Sequence, residues 1–90
     1  MKLRLFKTNQ FKRSYRRLKL KDSDEEHLIT ILYKLLNGIE LDRRYCDHAL
    51  KGQLSGYREC HIRPDLLLVY RTEEGYLKLV DIGSHSELFD

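Results

Sequence analysis

The second half of the chain contains three histidines and an aspartate whose spacing suits acid–base chemistry. His61 ends a strand-like run, Asp65 follows it in a tight turn, and His85 follows the last strand-like run. His48 lies in the segment before these runs. In a meander, the end of one strand and the turn after it can approach the exit of the next strand. The four side chains are therefore candidates for one shared cleft.

Such a cleft suits the cleavage of RNA. A base deprotonates the ribose 2′-hydroxyl, an acid protonates the departing 5′-oxygen, and a cation supports charge on the phosphorane, so no metal is required. Histidine suits both proton roles because its unperturbed pKa is about 6.5. A structural interpretation stays open, in which His61 and His85 are satisfied, partly buried imidazoles and Asp65 shapes a Pro-Asp turn.

The two cysteines allow a further interpretation, a metal site built from Cys46, His48, Cys60 and His61. Their spacings match no zinc pattern, and the cysteines lack the C-x-x-C arrangement. We therefore expect both cysteines to be reduced thiols, and we expect neither a metal nor another cofactor.

Positive charge is concentrated at the start of the chain. Residues 1–21 contain nine Lys or Arg and no acidic residue, although the net charge of the whole chain is only +3. Such a stretch is a plausible contact for phosphate groups, and it is equally consistent with a solvated helix face.

The elements that position these residues follow from periodicity. Residues 2–7 alternate as a first strand, and Thr8 or Asn9 caps a helix from Phe11 to Leu18. A capping box from Ser23 to Glu26 starts a second helix, which stops at residues 37–38. The two helices should form an antiparallel hairpin, and His27 should be an isolated surface residue.

The rest of the chain is predicted to be a long loop followed by a β-meander. The loop covers residues 39–56 and carries Lys51. Three strands should follow, at 57–62, 66–71 and 76–82, and the apolar residues 66–70 form the central one. Residues 84–89 have the form of one helical turn, with a second S-x-x-E capping box from Ser84 to Glu87. Along the first of these strands, alternation puts the side chains of Glu59 and His61 on one face and that of Arg58 on the other face. The prediction is a single α+β domain, residues 1–90, in the order β-α-α-β-β-β, with the helix hairpin on an antiparallel sheet.

Composition argues against export and membrane insertion. Hydrophobic residues make up 41% of the chain, and no apolar run reaches the roughly 18–20 residues of a membrane span. Residues 1–5 alternate in polarity, which is not the pattern of a signal peptide. We expect a cytoplasmic protein with no membrane partner.

Three motifs in series resemble the YafQ branch of the RelE toxin superfamily. They are the segments DHALKG at 47–52, YRECHIRPD at 57–65 and GSHSELF at 83–89. The resemblance implies a RelE-like fold and a bacterial type II toxin that degrades mRNA as an endoribonuclease, usually on the translating ribosome. It also implies a cognate antitoxin that holds the toxin inactive. By the family's motif, the acid and base group is His48, His61, Asp65 and His85, and Phe89 is the aromatic that contacts a nucleotide. An equally open role for Phe89 is that of a C-terminal core anchor.

Two positions depart from the family pattern. Leu66 replaces a tryptophan after the aspartate, and Asp81 replaces an arginine four residues before the last histidine. Three consequences of Asp81 are possible. Another arginine supplies the cation beside the phosphate, the candidates being Arg58, Arg63 and Arg71, or the enzyme lacks this cation and is slower. Alternatively, Asp81 faces away from the cleft and pairs with a basic residue. We predict that Phe89, Arg58, Arg63 and Lys51 bind the substrate.

A rival hypothesis is a RelE-like module that binds RNA or an antitoxin without cutting. On either hypothesis the basic first helix is a candidate surface for ribosomal RNA or for the antitoxin. The antitoxin segment should fold on binding, as a helix in a groove or as an added strand.

Overall fold

The computed structural model describes residues 2–89, so Met1 and Asp90, the ends of the predicted domain, lie outside the described residues. The chain forms β1 (Arg4–Lys7), α1 (Asn9–Leu18), α2 (Asp22–Leu36), β2 (His48–Ala49), β3 (Arg58–Arg63), β4 (Leu66–Glu73), β5 (Tyr76–Gly83) and α3 (His85–Phe89). Short 3-10 turns cover Arg43–Tyr45 and Gly52–Leu54. The predicted α+β class is confirmed. Between residues 2 and 89, no helix is long and apolar enough to cross a bilayer.

The five strands form one sheet in the order β1-β5-β4-β3-β2. Strands β2 to β5 pair antiparallel, which confirms the predicted meander and the central place of β4. Strand β1 instead pairs parallel with β5, at the edge of the sheet. The two helices and strands β2 to β4 all lie between β1 and β5 in the chain. The segment 39–56, predicted to be a loop, contains the short strand β2. Only two residues of β2 pair with β3, which is too few to produce a recognisable alternation of polar and apolar residues in the sequence.

The ends of the two long helices follow the predicted caps at two of three positions. Thr8 Oγ1 accepts a hydrogen bond from the Phe11 N–H at 3.0 Å. Helix α2 starts at Asp22 with Lys21 as its N-cap and without a side-chain capping bond, so the capping box predicted at Ser23 is wrong. Ser23 lies inside the first turn of the helix. Acidic residues in that turn stabilise the helix through its dipole, in place of a side-chain cap. The helix ends at residues 37–38 as predicted.

Both long helices pack on one face of the sheet, and this face holds the core. Strand β4 lies at its centre, because Leu68 and Tyr70 point toward the helices. The core residues are Phe11, Leu28, Ile31, Leu36, Leu41, Tyr45, Cys60, Ile62, Leu66, Leu68, Tyr70, Leu77, Leu79 and Ile82. The opposite side of the sheet, which we call the open face, displays the alternate residues of β3 and β4. It carries Glu59, His61, Leu67 and Val69.

His27 is not the isolated surface residue that the sequence suggested. Its Nδ1 lies 3.1 Å from the Tyr45 hydroxyl, and the two rings form an edge contact at 5.9 Å between centroids. The partner is 18 residues away along the chain, so local sequence could not reveal this contact. His27 therefore joins α2 to the first 3-10 turn, and it is remote in sequence from the open-face residues.

Candidate active site

The pairing of the strands sets two rows of side chains across the open face. In one row His48 lies opposite Glu59, Glu59 opposite Val69, and Val69 opposite Asp81. In the next row His61 lies opposite Leu67, which lies opposite Gly83. Since neighbouring strands are about 4.8 Å apart, the Cα atoms of His61 and Gly83 are separated by roughly 10 Å. The two rows bring the histidines of β2 and β3 to the side of the sheet from which α3 begins.

Asp65 and His85 meet where the β3–β4 turn approaches α3. Asp65 Oδ1 accepts a hydrogen bond from the His85 backbone N–H at 3.4 Å. Within α3 the His85 and Phe89 rings lie together, with centroids 5.3 Å apart and planes tilted by 50°. The four-residue spacing of a helix turn explains this contact. One candidate for acid–base chemistry thus lies beside the candidate stacking aromatic.

The start of α3 is held by the predicted capping box. The Ser84 backbone N–H donates to Glu87 Oε1 at 2.7 Å, and the Glu87 N–H donates to Ser84 Oγ at 3.2 Å. The hydrogen bond from the Ser84 backbone lowers the pKa of Glu87. This confirmed box fixes the helix that carries His85 and Phe89.

His48 lies at the sheet edge, with both ring nitrogens close to oxygen atoms. Its Nε2 is 2.8 Å from Glu59 Oε2, and its Nδ1 is 2.7 Å from the Cys46 carbonyl oxygen. The Glu59 side chain is only 12% exposed. Sequence reasoning missed Glu59 as a site residue, although strand alternation had already placed it on the same face as His61.

A groove of about 380 Å³ lies on the open face beside α3. Its lining includes Phe89 from α3, Tyr57 and Val69 from the sheet, and Leu54 from the second 3-10 turn. None of the four acid–base candidates lines it directly, but His85 contacts Phe89 and Glu59 pairs with Val69. A larger cavity of about 550 Å³ lies between α1 and α2 and contains none of the candidates. The smaller groove is the candidate site, because Phe89 lines it and the His85 ring contacts Phe89.

Two of the predicted substrate-binding arginines point away from the open face. Arg58 Nη2 lies 3.2 Å from Asp47 Oδ2, and this pairing raises the pKa of Arg58. Tyr70, on the core side, also donates a hydrogen bond to Asp47, and burial raises the pKa of Tyr70. Arg58 is thus held by a network on the helix side. The geometry does not bring it to the groove.

Arg63 is likewise occupied by a carboxylate. Its Nε lies 3.0 Å from Asp24 Oδ1 of α2, and the Asp24 side chain is only 4% exposed. A register shift between His61 and Arg63 puts Arg63 opposite Leu66, on the helix side. Arg63 is therefore paired with Asp24 and does not line the groove, because a buried carboxylate needs this cation.

Two cations remain near the groove. Arg71 lies over the Tyr57 ring, 5.1 Å from its centroid, and Tyr57 lines the groove. Its Nε also lies 3.3 Å from Glu73 Oε2, a partly exposed carboxylate on the same strand. Lys51 is exposed immediately before the second 3-10 turn, whose Leu54 also lines the groove. Of the three arginines considered as replacements for the family arginine, only Arg71 is on the open face.

Asp81 is directed toward α1. Its Oδ2 accepts from Gln10 Nε2 at 2.7 Å, and its Oδ1 accepts from Ser14 Oγ at 2.7 Å and from the Ile82 N–H at 2.8 Å. The expectation of a basic partner is wrong, because neutral donors from α1 and the backbone satisfy this carboxylate. Asp81 still lines one edge of the groove.

The alternative metal site is not assembled. Cys60 is buried in the core, where loss of solvent raises the pKa of its thiol to about 12, whereas His61 is on the open face. Successive strand residues point to opposite faces, so these two side chains diverge. Among residues 2–89 no group of three or more His, Cys, Asp or Glu side chains is placed to hold a metal ion. Both cysteines are free thiols.

Sequence comparison decides the family. The sequence profile described as "Bacterial toxin of type II toxin-antitoxin system, YafQ" matches residues 3–90. The chain belongs to the YafQ family. A YafQ protein of Haemophilus influenzae is 43% identical over 63 residues, which cover 66% of this chain and 62% of that protein. The mRNA interferase toxin YafQ of Escherichia coli K12 is 36% identical over 64 residues, which cover 71% of this chain and 67% of that toxin. The alignment thus spans less than two thirds of the Haemophilus relative.

Solved structures of bacterial toxins share the fold over nearly the whole chain. A copper-bound mutant toxin from Helicobacter pylori superposes with a TM-score of 0.89 at 39% identity, covering 97% of this chain and 99% of that one. The toxin in the E. coli DinJ–YafQ complex superposes with a TM-score of 0.83 at 27% identity, covering 98% and 99%. The YafQ-family assignment therefore agrees in sequence and in fold.

Proposed function

We propose that this YafQ-family toxin is an endoribonuclease that cuts mRNA by acid–base catalysis, in association with the ribosome. The observation that carries the proposal is the group formed by Asp65, His85 and Phe89, with His61 two strands away across β4. The E. coli relative named an mRNA interferase toxin supports the same reaction class. Cleavage of mRNA makes the cytoplasm the proposed compartment.

The reaction requires two proton transfers. A base takes the proton of the ribose 2′-hydroxyl, the 2′-oxygen forms a bond to phosphorus, and the bond from phosphorus to the 5′-oxygen breaks as an acid protonates that oxygen. The products are a 2′,3′-cyclic phosphate and a 5′-hydroxyl. His61 and His85 are proposed as the proton-transfer pair, because β4 separates His61 on β3 from the end of β5 that leads to His85. Asp65 holds the His85 backbone, which fixes the start of α3.

Binding of the RNA would use the remainder of the groove. The Phe89 ring is proposed to stack on a base, a contact typically worth about 1–3 kcal/mol. Arg71 and Lys51 are proposed to supply positive charge along the phosphates. Asp81 repels the phosphate less than an unpaired carboxylate would, because its oxygens already accept hydrogen bonds from α1.

A binding module that does not cut RNA is the second candidate. It is favoured by Asp81, which brings a carboxylate to the edge of the groove where the family pattern has an arginine. The two candidates differ in one result, namely whether RNA strands are broken when the histidines are intact and remain whole when they are replaced.

The test compares wild type with His85→Ala and with His27→Gln, a histidine substitution away from the open face. Purified proteins are incubated with free RNA and with translating ribosomes, and primer extension maps the cut sites. We expect cuts with wild type and His27→Gln, and a loss of at least about 100-fold with His85→Ala, the low end for a proton-transfer group. Equal cleavage by His85→Ala would remove the catalytic proposal. Folding of each variant is checked by its melting temperature.

We also propose that a cognate antitoxin docks in the larger cavity between α1 and α2. The E. coli relative has been crystallised as a DinJ–YafQ toxin-antitoxin complex. In this chain the cavity has an apolar floor that includes Phe11 and Leu28, and its rim carries Lys7, Lys12 and Arg16. An amphipathic antitoxin segment with acidic side chains matches that surface in polarity and charge.

Isothermal titration calorimetry with the cognate antitoxin tests whether it binds in this cavity. The double variant Lys12→Glu, Arg16→Glu should weaken antitoxin binding, whereas Arg43→Glu, an exposed change in the first 3-10 turn, should leave it unchanged. Unaltered affinity of the double variant would assign the antitoxin to another surface. This result is independent of whether the toxin cuts RNA.

A further inference from the structure

We infer that Glu59 is a positioning residue that, together with the Cys46 carbonyl, holds His48 in its doubly protonated form beside the groove. The role in catalysis rests on the proposed ribonuclease function, but the protonation state does not. Glu59 Oε2 lies 2.8 Å from His48 Nε2, and the Cys46 carbonyl oxygen lies 2.7 Å from His48 Nδ1. Both separations are those of well-formed hydrogen bonds.

The chemistry of the imidazole ring gives the protonation state. A neutral imidazole has one N–H donor and one nitrogen that can only accept, whereas the imidazolium has two donors. A carbonyl oxygen cannot donate, and an ionised carboxylate cannot donate either. With an ionised Glu59, both contacts of His48 are therefore hydrogen bonds at the same time only when both nitrogens carry a proton. In the neutral ring, one short contact would set two acceptors against each other.

Among the described residues, His48 is the one basic group paired with Glu59, and an imidazole is intrinsically more basic than a carboxylate by about two pKa units, so a proton shared by the two stays on the imidazole. The side chain is 12% exposed, and its other oxygen, Oε1, is buried without a hydrogen-bond partner in the chain between residues 2 and 89. A buried carboxylate without a nearby cation is costly. Because Oε1 has no partner, the contact with His48 is the interaction that offsets the burial.

The other ionisable groups around the pair do not replace His48. Asp47, which precedes it in the chain, is bound to Arg58 on the helix side of the sheet. On the open face, Asp81 is separated from Glu59 by Val69 and accepts its hydrogen bonds from α1. His61 lies two residues along β3 from Glu59, and the exposed Lys51 lies three residues beyond His48 in the chain.

The consequence is a division of roles among the histidines. An imidazolium has no free lone pair, so His48 cannot remove the proton of the ribose 2′-hydroxyl while Glu59 and Cys46 hold it. The general base is then one of the other candidates, His61, Asp65 or His85. His48 instead places a positive charge on the open face, where the family arginine is replaced by Asp81, and it keeps the Glu59 carboxylate neutralised in the presence of an anionic substrate.

The test observes the ring nitrogens of His48 directly. Nitrogen-15 NMR of the full chain at pH 7.5, where a free imidazole is mostly neutral, distinguishes protonated from unprotonated ring nitrogens. We expect two protonated nitrogens for His48 in wild type and the loss of one in Glu59→Gln. In the control Glu73→Gln, which removes a carboxylate paired with Arg71 and Lys78, His48 should keep both protons.

An unprotonated His48 nitrogen in wild type would overturn the inference, even if Glu59→Gln failed to fold. Both protons retained in a folded Glu59→Gln would overturn the role of Glu59. Failure of the ribonuclease proposal gives a different pattern, in which the expected nitrogen signals accompany a wild-type protein that leaves RNA intact. The NMR and the cleavage assay therefore fail separately.

Discussion

Replacing Arg63 by alanine should destabilise the fold without weakening RNA binding. The Arg63 guanidinium contacts Asp24 Oδ1 at 3.0 Å and so joins the end of β3 to α2. Removal of the guanidinium leaves a carboxylate that is 4% exposed without its cation. The same tie fixes the turn that carries Asp65, so the loss should also loosen the contact between Asp65 and the start of α3.

The size of the effect follows from the burial of the two partners. A hydrogen bond to a charged group contributes about 1.5–3 kcal/mol, and loss of a partner from a fully buried pair costs more. The Arg63 side chain is 47% exposed, so solvent screens the pair and the lower part of the range applies. We expect a loss of about 2 kcal/mol in the free energy of unfolding. For a chain of this size that corresponds to a melting temperature lower by roughly 8–16 °C.

Urea unfolding and a salt titration of RNA binding measure the two effects. The double variant Asp24→Ala, Arg63→Ala should be less destabilised than the sum of the two single variants, because it leaves no unpaired charge. Affinity for RNA, and its dependence on salt, should match wild type under conditions where both proteins are folded. A stable Arg63→Ala variant with a shallower salt dependence would refute the structural role and restore Arg63 as a phosphate contact.

Three further outcomes are expected. Phe89→Ala should weaken RNA binding by about 5–150-fold in a gel-shift assay, the equivalent of one lost stacking contact, and undiminished affinity would make Phe89 a packing residue. Because the pKa of Glu87 is lowered in the folded protein, its stabilisation of α3 is present at neutral pH and is lost as the pH falls through that lowered pKa. Amide exchange in α3 should accelerate there in wild type but not in Glu87→Gln; identical pH dependence in the two proteins would contradict this. Iodoacetamide at pH 8 should label the exposed Cys46 and spare Cys60, whose buried thiol has a pKa of about 12, and mass spectrometry that finds both labelled would show that β3 opens.

Local sequence predicted the elements whose signals are local. The Thr8 cap, the Ser84–Glu87 capping box and the three strands of the meander depend on residues close together in the chain, and each forms as predicted. The start of α2 was misplaced because Ser23 fits a capping box equally well in sequence. The parallel pairing of β1 with β5 joins positions more than 70 residues apart, and no local pattern encodes it.

The site was predicted less completely than the fold. The motifs predicted Asp65, His85 and Phe89 as site residues, and the structure brings these three together. The arginines depend on tertiary partners, Asp47 for Arg58 and Asp24 for Arg63. For Arg58 the sequence did contain the necessary information, because strand alternation placed its side chain on the other face of β3 from His61. The same alternation placed Glu59 on the face that carries His61, and so indicated that Glu59 was a candidate site residue.

The proposed reaction begins with attack of the ribose 2′-hydroxyl on the phosphodiester at the groove beside α3. Its most direct test compares an mRNA with the same mRNA carrying a single 2′-deoxyribose immediately 5′ of the mapped cut, each presented to wild-type toxin free and on translating ribosomes. We expect cleavage of the unmodified RNA to a 2′,3′-cyclic phosphate and no cleavage at the substituted position. Cleavage of both RNAs at equal rates would contradict it.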